Sequence, residues 1–527
     1  AEGPAGLRIA GSAKGDLSTA GALRGGAEQA NGWLKDLGFT PTTLDLPDTE
    51  DAHISITPLW AVKGCKRAWL DQQNDVTVKD VELAHKENFI SVEHLKRYTT
   101  LGMATDQGKT SNMGGLAIMA ELTGKAIPEV GTTIFRPPYT PTAIGAFAGR
   151  DRGKEFRPTR RTPSHVWAEE QGAVFVEVGM WLRAQWFPKE GETDWRQSVA
   201  REVLATRKSV GICDVTTLGK IDVQGADAAI FLNKIYCNGF AKLAIGKTRY
   251  GLMLREDGIA MDDGTAARLA ADHFVVTTTT ANAVSVFRHM EFARQCLWPN
   301  LDVQLISTTE AWAQYAVAGP NARQLLQKVV DPEFDLSNDA FPFMACANIT
   351  VCGGLRARLF RISFSGELAY EIAVPTPYGD AMIRRLMQAG IEFEATPYGT
   401  EALGVMRIEK GHAAGSELNG TTTALNLGMA RMVSKAKDSI GSTLSERSGL
   451  NCEDALKLVG LRPVNFSDPI PAGSHLMRKG DPVDAAHDQG YVTSACFSPN
   501  LSHAIALALV ISGDSRMGEI LRLVSPL

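Results

Sequence analysis

The stretch from Tyr250 to Asp263, Tyr-Gly-Leu-Met-Leu-Arg-Glu-Asp-Gly-Ile-Ala-Met-Asp-Asp, constrains the fold more than any other part of the chain. An apolar run enters a turn at Glu256, Asp257 and Gly258, and a second run returns with two adjacent carboxylates, Asp262 and Asp263. The pattern predicts a β-hairpin. Neighbouring side chains on a strand point to opposite faces, so one aspartate should face whatever the sheet encloses. An enclosed carboxylate needs a partner, because an unpaired buried charge is costly. An amine-bearing or cationic ligand would be such a partner. A solvated Asp-Asp-Gly turn is the plainer alternative.

The 527 residues are enough for about two to four domains. A net charge of −5 without a polybasic tract argues against nucleic acid as a partner. Cys65, Cys213, Cys237, Cys296, Cys346, Cys352, Cys452 and Cys496 form no CxxC pair, which predicts reduced thiols in a cytoplasmic protein. The histidines are scattered; His475, His487 and His503 are too dispersed to argue for ligation, and no metal is expected. The longest apolar run, near residues 501–511, is too short to span a bilayer. Residues 1–30 show no signal-peptide pattern, so no membrane role is expected.

Residues 7–10 read as a strand, 11–16 as a tight glycine loop and 17–34 as a small-residue helix. Such a unit can cradle a phosphate, which makes Gly11 and Gly15 candidate cofactor-binding positions. A simple packing turn is the alternative. Residues 1–45 are accordingly expected to be the last strand and helix of an α/β dinucleotide-binding domain, its remainder removed or carried elsewhere. Residues 46–164 are expected to connect and to dock a partner, with helical patterns over 75–94 and 114–122 and a basic run over 150–161. Within 165–430, strand–glycine–helix units recur at 221–232 and 315–326, with Gly225 and Gly319 in equivalent places. They predict a duplicated α+β domain. Short strands separated by Pro, Gly and Asp predict a small β-barrel over 431–527.

Four blocks occur in the order seen in glycine-cleavage aminomethyltransferases. They are Ser209-Val-Gly-Ile-Cys-Asp-Val-Thr-Thr-Leu-Gly-Lys220, the Asp262-Asp263 hairpin, Phe364-Ser-Gly-Glu-Leu-Ala-Tyr-Glu-Ile372 and Met406-Arg-Ile-Glu-Lys-Gly411. The chain resembles that family over most of 165–525. Upstream, Asp71-Gln-Gln-Asn-Asp-Val-Thr-Val-Lys-Asp80, Thr105-Asp-Gln-Gly-Lys-Thr110 and Phe135-Arg-Pro-Pro-Tyr139 resemble the α subunits of heterotetrameric sarcosine oxidases. The block 411–420 is also similar to N-methylglutamate dehydrogenases.

The resemblance implies a tetrahydrofolate-binding domain. It implies that a flavin-carrying β subunit oxidises a small N-methyl amine, and that the imine or formaldehyde product becomes 5,10-methylenetetrahydrofolate here. FAD and FMN would lie mainly on, or be shared with, that partner. Small accessory subunits would complete a heterotetramer, and NAD would require the rest of the dinucleotide domain. By the same resemblance Asp263 is the catalytic acid, and Tyr250, Asp262, Tyr370, Glu371 and Arg407 are folate-binding residues. The residues alone leave each a plainer role: Asp262 bracing the hairpin, Glu371 on a strand surface, Tyr250 in the core, Arg407 paired with Glu409. Alternatives at the level of the protein are a subunit of a related N-methyl amino acid dehydrogenase, a free-standing aminomethyltransferase and a non-catalytic scaffold.

Overall fold

The computed structural model describes residues 4, 6–50, 57–137, 139–147, 149 and 159–525. They divide into two units, Ala1–Phe156 and Arg157–Leu527.

In the first unit, residues 7–10 join no sheet among the described residues, contrary to the expected strand. A strand needs a neighbour to take its backbone hydrogen bonds, and among the described residues none lies alongside. The helix does form, over Thr19–Asp36, with Ser18 as its N-cap. The helical pattern of 75–94 splits into two helices, Val78–Lys86 and Val92–Thr99. Asn88, in the left-handed region at φ +71°, separates them. With the helix Asn112–Thr123 they enclose a core of Val81, Ala84, Leu95, Leu101, Leu116 and Met119. The segment expected to connect thus has a core of its own. Of the basic run, residues 150 and 151–158 lie outside the described residues, and Arg160–Arg161 pairs in parallel with Trp181 and Leu182.

Of the four sheets among the described residues of the second unit, two frame the site, and the strand labels are for these two. In chain order the strands are β1 (Gly211–Asp214), β2 (Gly219–Gln224), β3 (Lys247–Leu254), β4 (Ala260–Ala270), β5 (His273–Thr278), β6 (Gln304–Ser307), β7 (Trp312–Ala318), β8 (Cys346–Val351), β9 (Leu355–Phe360), β10 (Ala369–Pro375) and β11 (Thr396–Pro397). One sheet has the order β6-β2-β5-β4-β3, the other β8-β9-β10-β7-β1-β11. All pairings are antiparallel except β11 with β1. Val223, Phe231, Phe274 and Val276 fill the core of the first sheet, and Val317, Leu359, Tyr370 and Ile372 that of the second. The sheets are tied by Arg358 on β9, which donates to both oxygens of Asp222 on β2, at 2.9 and 2.7 Å.

The turns after β2 and β7 match. Gly225 has φ +131° and Gly319 φ +130°. A Cβ at Gly225 would lie 2.1 Å from the Asp302 carbonyl oxygen, and one at Gly319 2.3 Å from that of Ser209. Close backbone approach therefore demands glycine at both places. The helices Ala228–Ile235 and Ala322–Gln327 follow.

Five further strands, Leu456–Leu461, His475–Arg478, Asp488–Ser498, His503–Ile511 and Leu521–Val524, form an antiparallel sheet. The helix Thr400–Lys410 is pinned to it: Glu409 accepts from Ser498 Oγ, and Arg407 donates to Ser494 Oγ.

Candidate ligand site around Asp263

The hairpin of β3 and β4 closes at Gly258, φ +86°, as the Glu-Asp-Gly turn requires. Its register sets Leu252 opposite Asp263 and Met253 opposite Asp262, so the two carboxylates leave opposite faces. Tyr250 lies two residues before Leu252 and shares the Asp263 face. Its Oη donates to Asp263 Oδ2 at 2.8 Å. The Asp263 side chain is 9% exposed. Burial pushes its carboxyl up to about 6, against the hydrogen bond from Tyr250, and the charge of Asp262 pushes the same way as burial.

Asp262 does not belong to this face. It accepts from Thr279 N–H at 3.2 Å, Thr279 Oγ1 at 2.7 Å and Asn282 Nδ2 at 3.1 Å. Both oxygens are committed to the turn that follows β5, so Asp262 braces the hairpin instead of meeting a ligand.

A residue not singled out from the sequence joins the group. The helix Thr400–Lys410 ends at Gly411, in the left-handed conformation at φ +74°. The next residue, His412, is turned back so that its N–H donates to the Arg407 carbonyl at 2.9 Å. Its ring meets Phe364 edge-on with centroids 4.9 Å apart, and Tyr250 at 5.8 Å. His412 Nε2 lies 3.7 Å from Asp263 Oδ2. Burial lowers the imidazole to about 4, with the charges of Lys410 and Arg407 acting in the same direction, so it is neutral at pH 7. The one sequence signal was a histidine directly after a helix-ending glycine.

Glu371 lies on β10 beside Ala316 of β7. Gln314 Nε2 donates to its Oε2. Burial raises the Glu371 carboxyl, partly offset by Gln314 and by the charge of Lys220. Lys220 is buried on β2 and donates to the carbonyls of Thr216, at 2.7 Å, and Leu218, at 3.1 Å. Burial lowers its ammonium to about 8.

Tyr370 departs from expectation. It precedes Glu371 on the strand and so faces the other way, into the core against Phe341. Its hydroxyl accepts from Arg323 Nε at 3.0 Å. Arg407 also departs from it. Its guanidinium donates to Glu417 Oε2 at 2.8 Å, Ser494 Oγ at 2.7 Å and the His412 carbonyl at 3.3 Å. It is bound to neither a ligand face nor Glu409, which pairs with Arg207. Arg407 instead holds the turn that delivers His412.

The Gly11–Gly15 loop is a poor phosphate cradle. Ser18 Oγ takes the Gly21 N–H at 3.1 Å, and Asp16 lies against Gly21 and Gly25. A carboxylate at that helix N-terminus occupies the place an anion would take. Among the described residues no group of three or more His, Cys, Asp or Glu could hold a metal ion, and no helix is long and apolar enough to cross a membrane.

The two sheets hold a largely buried acid on the β3–β4 hairpin, and comparison with known proteins gives the class, an aminomethyltransferase-type domain. The GCVT N-terminal domain matches residues 164–437, the glycine cleavage T-protein C-terminal barrel domain 457–524 and the sarcosine oxidase A3 domain 65–150. The chain belongs to the GCVT-domain family. Nearly its whole length is similar to the sarcosine oxidase α subunits of Rhizobium meliloti (strain 1021), 49% identical, and Corynebacterium sp. (strain P-1), 43% identical, over 98% of this chain in each case. These matches cover 52% and 54% of those subunits, so the chain spans about half their length. The crystal structure of the glycine cleavage aminomethyltransferase T of Bartonella henselae shares the fold, with a TM-score of 0.59 at 24% identity over 70% of this chain and 94% of that one.

Proposed function

We propose that this chain is the folate-using part of a sarcosine oxidase-type complex. It would convert the imine or formaldehyde product of N-methyl amine oxidation to 5,10-methylenetetrahydrofolate. The observation that carries the reading is the Tyr250–Asp263–His412 group, a buried acid held among rings. Bound tetrahydrofolate would supply nucleophilic amines for one-carbon capture. Those amines carry protons, and an acid near pH 6 suits proton exchange with them close to neutrality. Tyr250 and His412 both approach Oδ2, leaving Oδ1 as the oxygen available to a ligand N–H. Phe364 and Tyr250 offer ring surface for a flat pteridine. Glu371 is a carboxylate acceptor for the donor edge of such a ring. Holding the amine beside the incoming carbon accounts for much of the rate.

The amine substrate, FAD and FMN are assigned to a flavin-carrying β subunit, with small accessory subunits completing the assembly. Exposed apolar side chains in the first unit, among them Trp69, Met113, Ile134 and Phe135, support a docking role there. NAD would need more of a dinucleotide domain than residues 1–45 provide. A cytoplasmic setting fits the eight free cysteines. The matched glycine turns support an origin of the two lobes by duplication.

The test is oxidation of sarcosine by the native complex with and without tetrahydrofolate. Formaldehyde should fall and methylenetetrahydrofolate should replace it mole for mole. Formaldehyde release that ignores tetrahydrofolate would contradict the reading.

A further inference from the structure

Residues 215–218 carry the chain from β1 in one sheet to β2 in the other. Lys220, near the start of β2, folds back onto this crossover, its ammonium donating to the carbonyls of Thr216 and Leu218 at 2.7 and 3.1 Å. Lys220 is only 1% exposed, yet it forms no ion pair among the described residues. Burying an ammonium without an acid beside it is costly.

The crossover in turn holds Gln314. Val215 N–H donates to the Gln314 carbonyl at 2.9 Å, and Gln314 N–H donates to Thr216 Oγ1 at 3.0 Å. The buried side chain of Gln314 then donates to Glu371 Oε2, while Oε1 takes no hydrogen bond among the described residues. One chain of contacts thus runs from Lys220 through the crossover and Gln314 to Glu371. Charge links its two ends as well. Asp214 on β1, Glu310 before β7 and Glu371 on β10 attract Lys220, and Arg358 on β9 repels it. Around Glu371, Gln314 and Lys220 favour the ionised form against burial, and the Tyr398 hydroxyl after β11 feels its charge.

We propose that Lys220 is a positioning residue for Glu371: its ammonium fixes the crossover from which Gln314 is hung, and its positive charge keeps that carboxylate an acceptor. The inference rests on the folate reading above. Lys220 itself touches no ligand. It acts on the orientation of Glu371 through hydrogen bonds and on its ionisation through the field.

The test is a double-mutant cycle on the tetrahydrofolate affinity of the full chain, with melting curves beside it. Lys220→Gln should weaken binding about fivefold or more when Glu371 is present, and less than about twofold in the Glu371→Gln chain. It should also move the acid limb of the affinity–pH profile upward by about one unit, because removing a nearby cation raises the Glu371 pKa. The limb to follow is the one missing from Glu371→Gln, since Asp263 titrates near 6. Thr216→Val cuts the link to Gln314 and leaves every charge in place. It should weaken binding severalfold with the same dependence on Glu371 and leave the limb unmoved, an arm that stands even if Lys220→Gln does not fold. Losses of equal size with and without Glu371 would make Lys220 and Thr216 packing residues and overturn the proposal alone. A wild type without affinity for tetrahydrofolate would defeat the folate reading itself.

Discussion

Tyr250 reaches Asp263 diagonally across adjacent strands, its hydroxyl 2.8 Å from Oδ2. This hydrogen bond favours the ionised carboxylate and holds its pKa below where burial alone would set it. Tyr250→Phe should therefore raise the Asp263 pKa above about 6, moving the acid limb of the activity–pH profile upward by about one unit. An acid limb that stays in place would remove Tyr250 from the group.

Asp263 also links function to stability. Its carboxyl titrates at about 6 in the folded chain, above the ordinary value of 3.8. Below pH 3.8 both states hold the proton and nothing is lost. As pH rises toward 6 the unfolded state sheds its proton first, so stability falls, by about 3 kcal/mol above pH 6. Asp263→Asn escapes this loss. Its melting temperature should exceed that of the wild type at pH 7.5, by more than it does at pH 4.5. A stability difference independent of pH would contradict the burial of this charge.

Arg407 predicts a different outcome. Its partner Glu417 is fully buried, and Glu417 also accepts from Thr493 and Ser494. Arg407→Gln should strand that carboxylate and cost about 3–5 kcal/mol of stability. The double substitution Arg407→Gln, Glu417→Gln should recover part of it. Thermal melts of the single and double variants decide between this structural role and a direct ligand contact, which would weaken binding with little change in melting.

Glu371→Gln should behave in the opposite way. It removes a buried charge that Gln314 and Lys220 only partly offset, so the fold should tolerate it. Tetrahydrofolate affinity should fall about tenfold to a hundredfold, the worth of a hydrogen bond to a charged acceptor. Melting curves measured beside the titration separate the two effects.

What the sequence revealed follows from the range of the interactions involved. The hairpin, its turn and the inward aspartate are local: alternation and one Glu-Asp-Gly turn specify them. Gly225 and Gly319 were legible for the same reason. Strand alternation also implied that Tyr370 and Glu371 face apart, but the family block carried both neighbours together. The Leu7–Ala10 strand failed because pairing needs a distant partner that no local pattern reports. Arg407 and Glu417 are ten residues apart and meet only because Gly411 reverses the chain. The same reversal brings His412 to Asp263, a contact between segments about 150 residues apart in sequence.

The most direct measurement is calorimetric titration of tetrahydrofolate into the wild-type chain and into Asp263→Asn, at pH 7.5. The account predicts that the wild type binds one equivalent and that the variant, though as stable or more so, binds at least about tenfold more weakly. Equal affinity in the two proteins, with melting curves showing both folded, would contradict it.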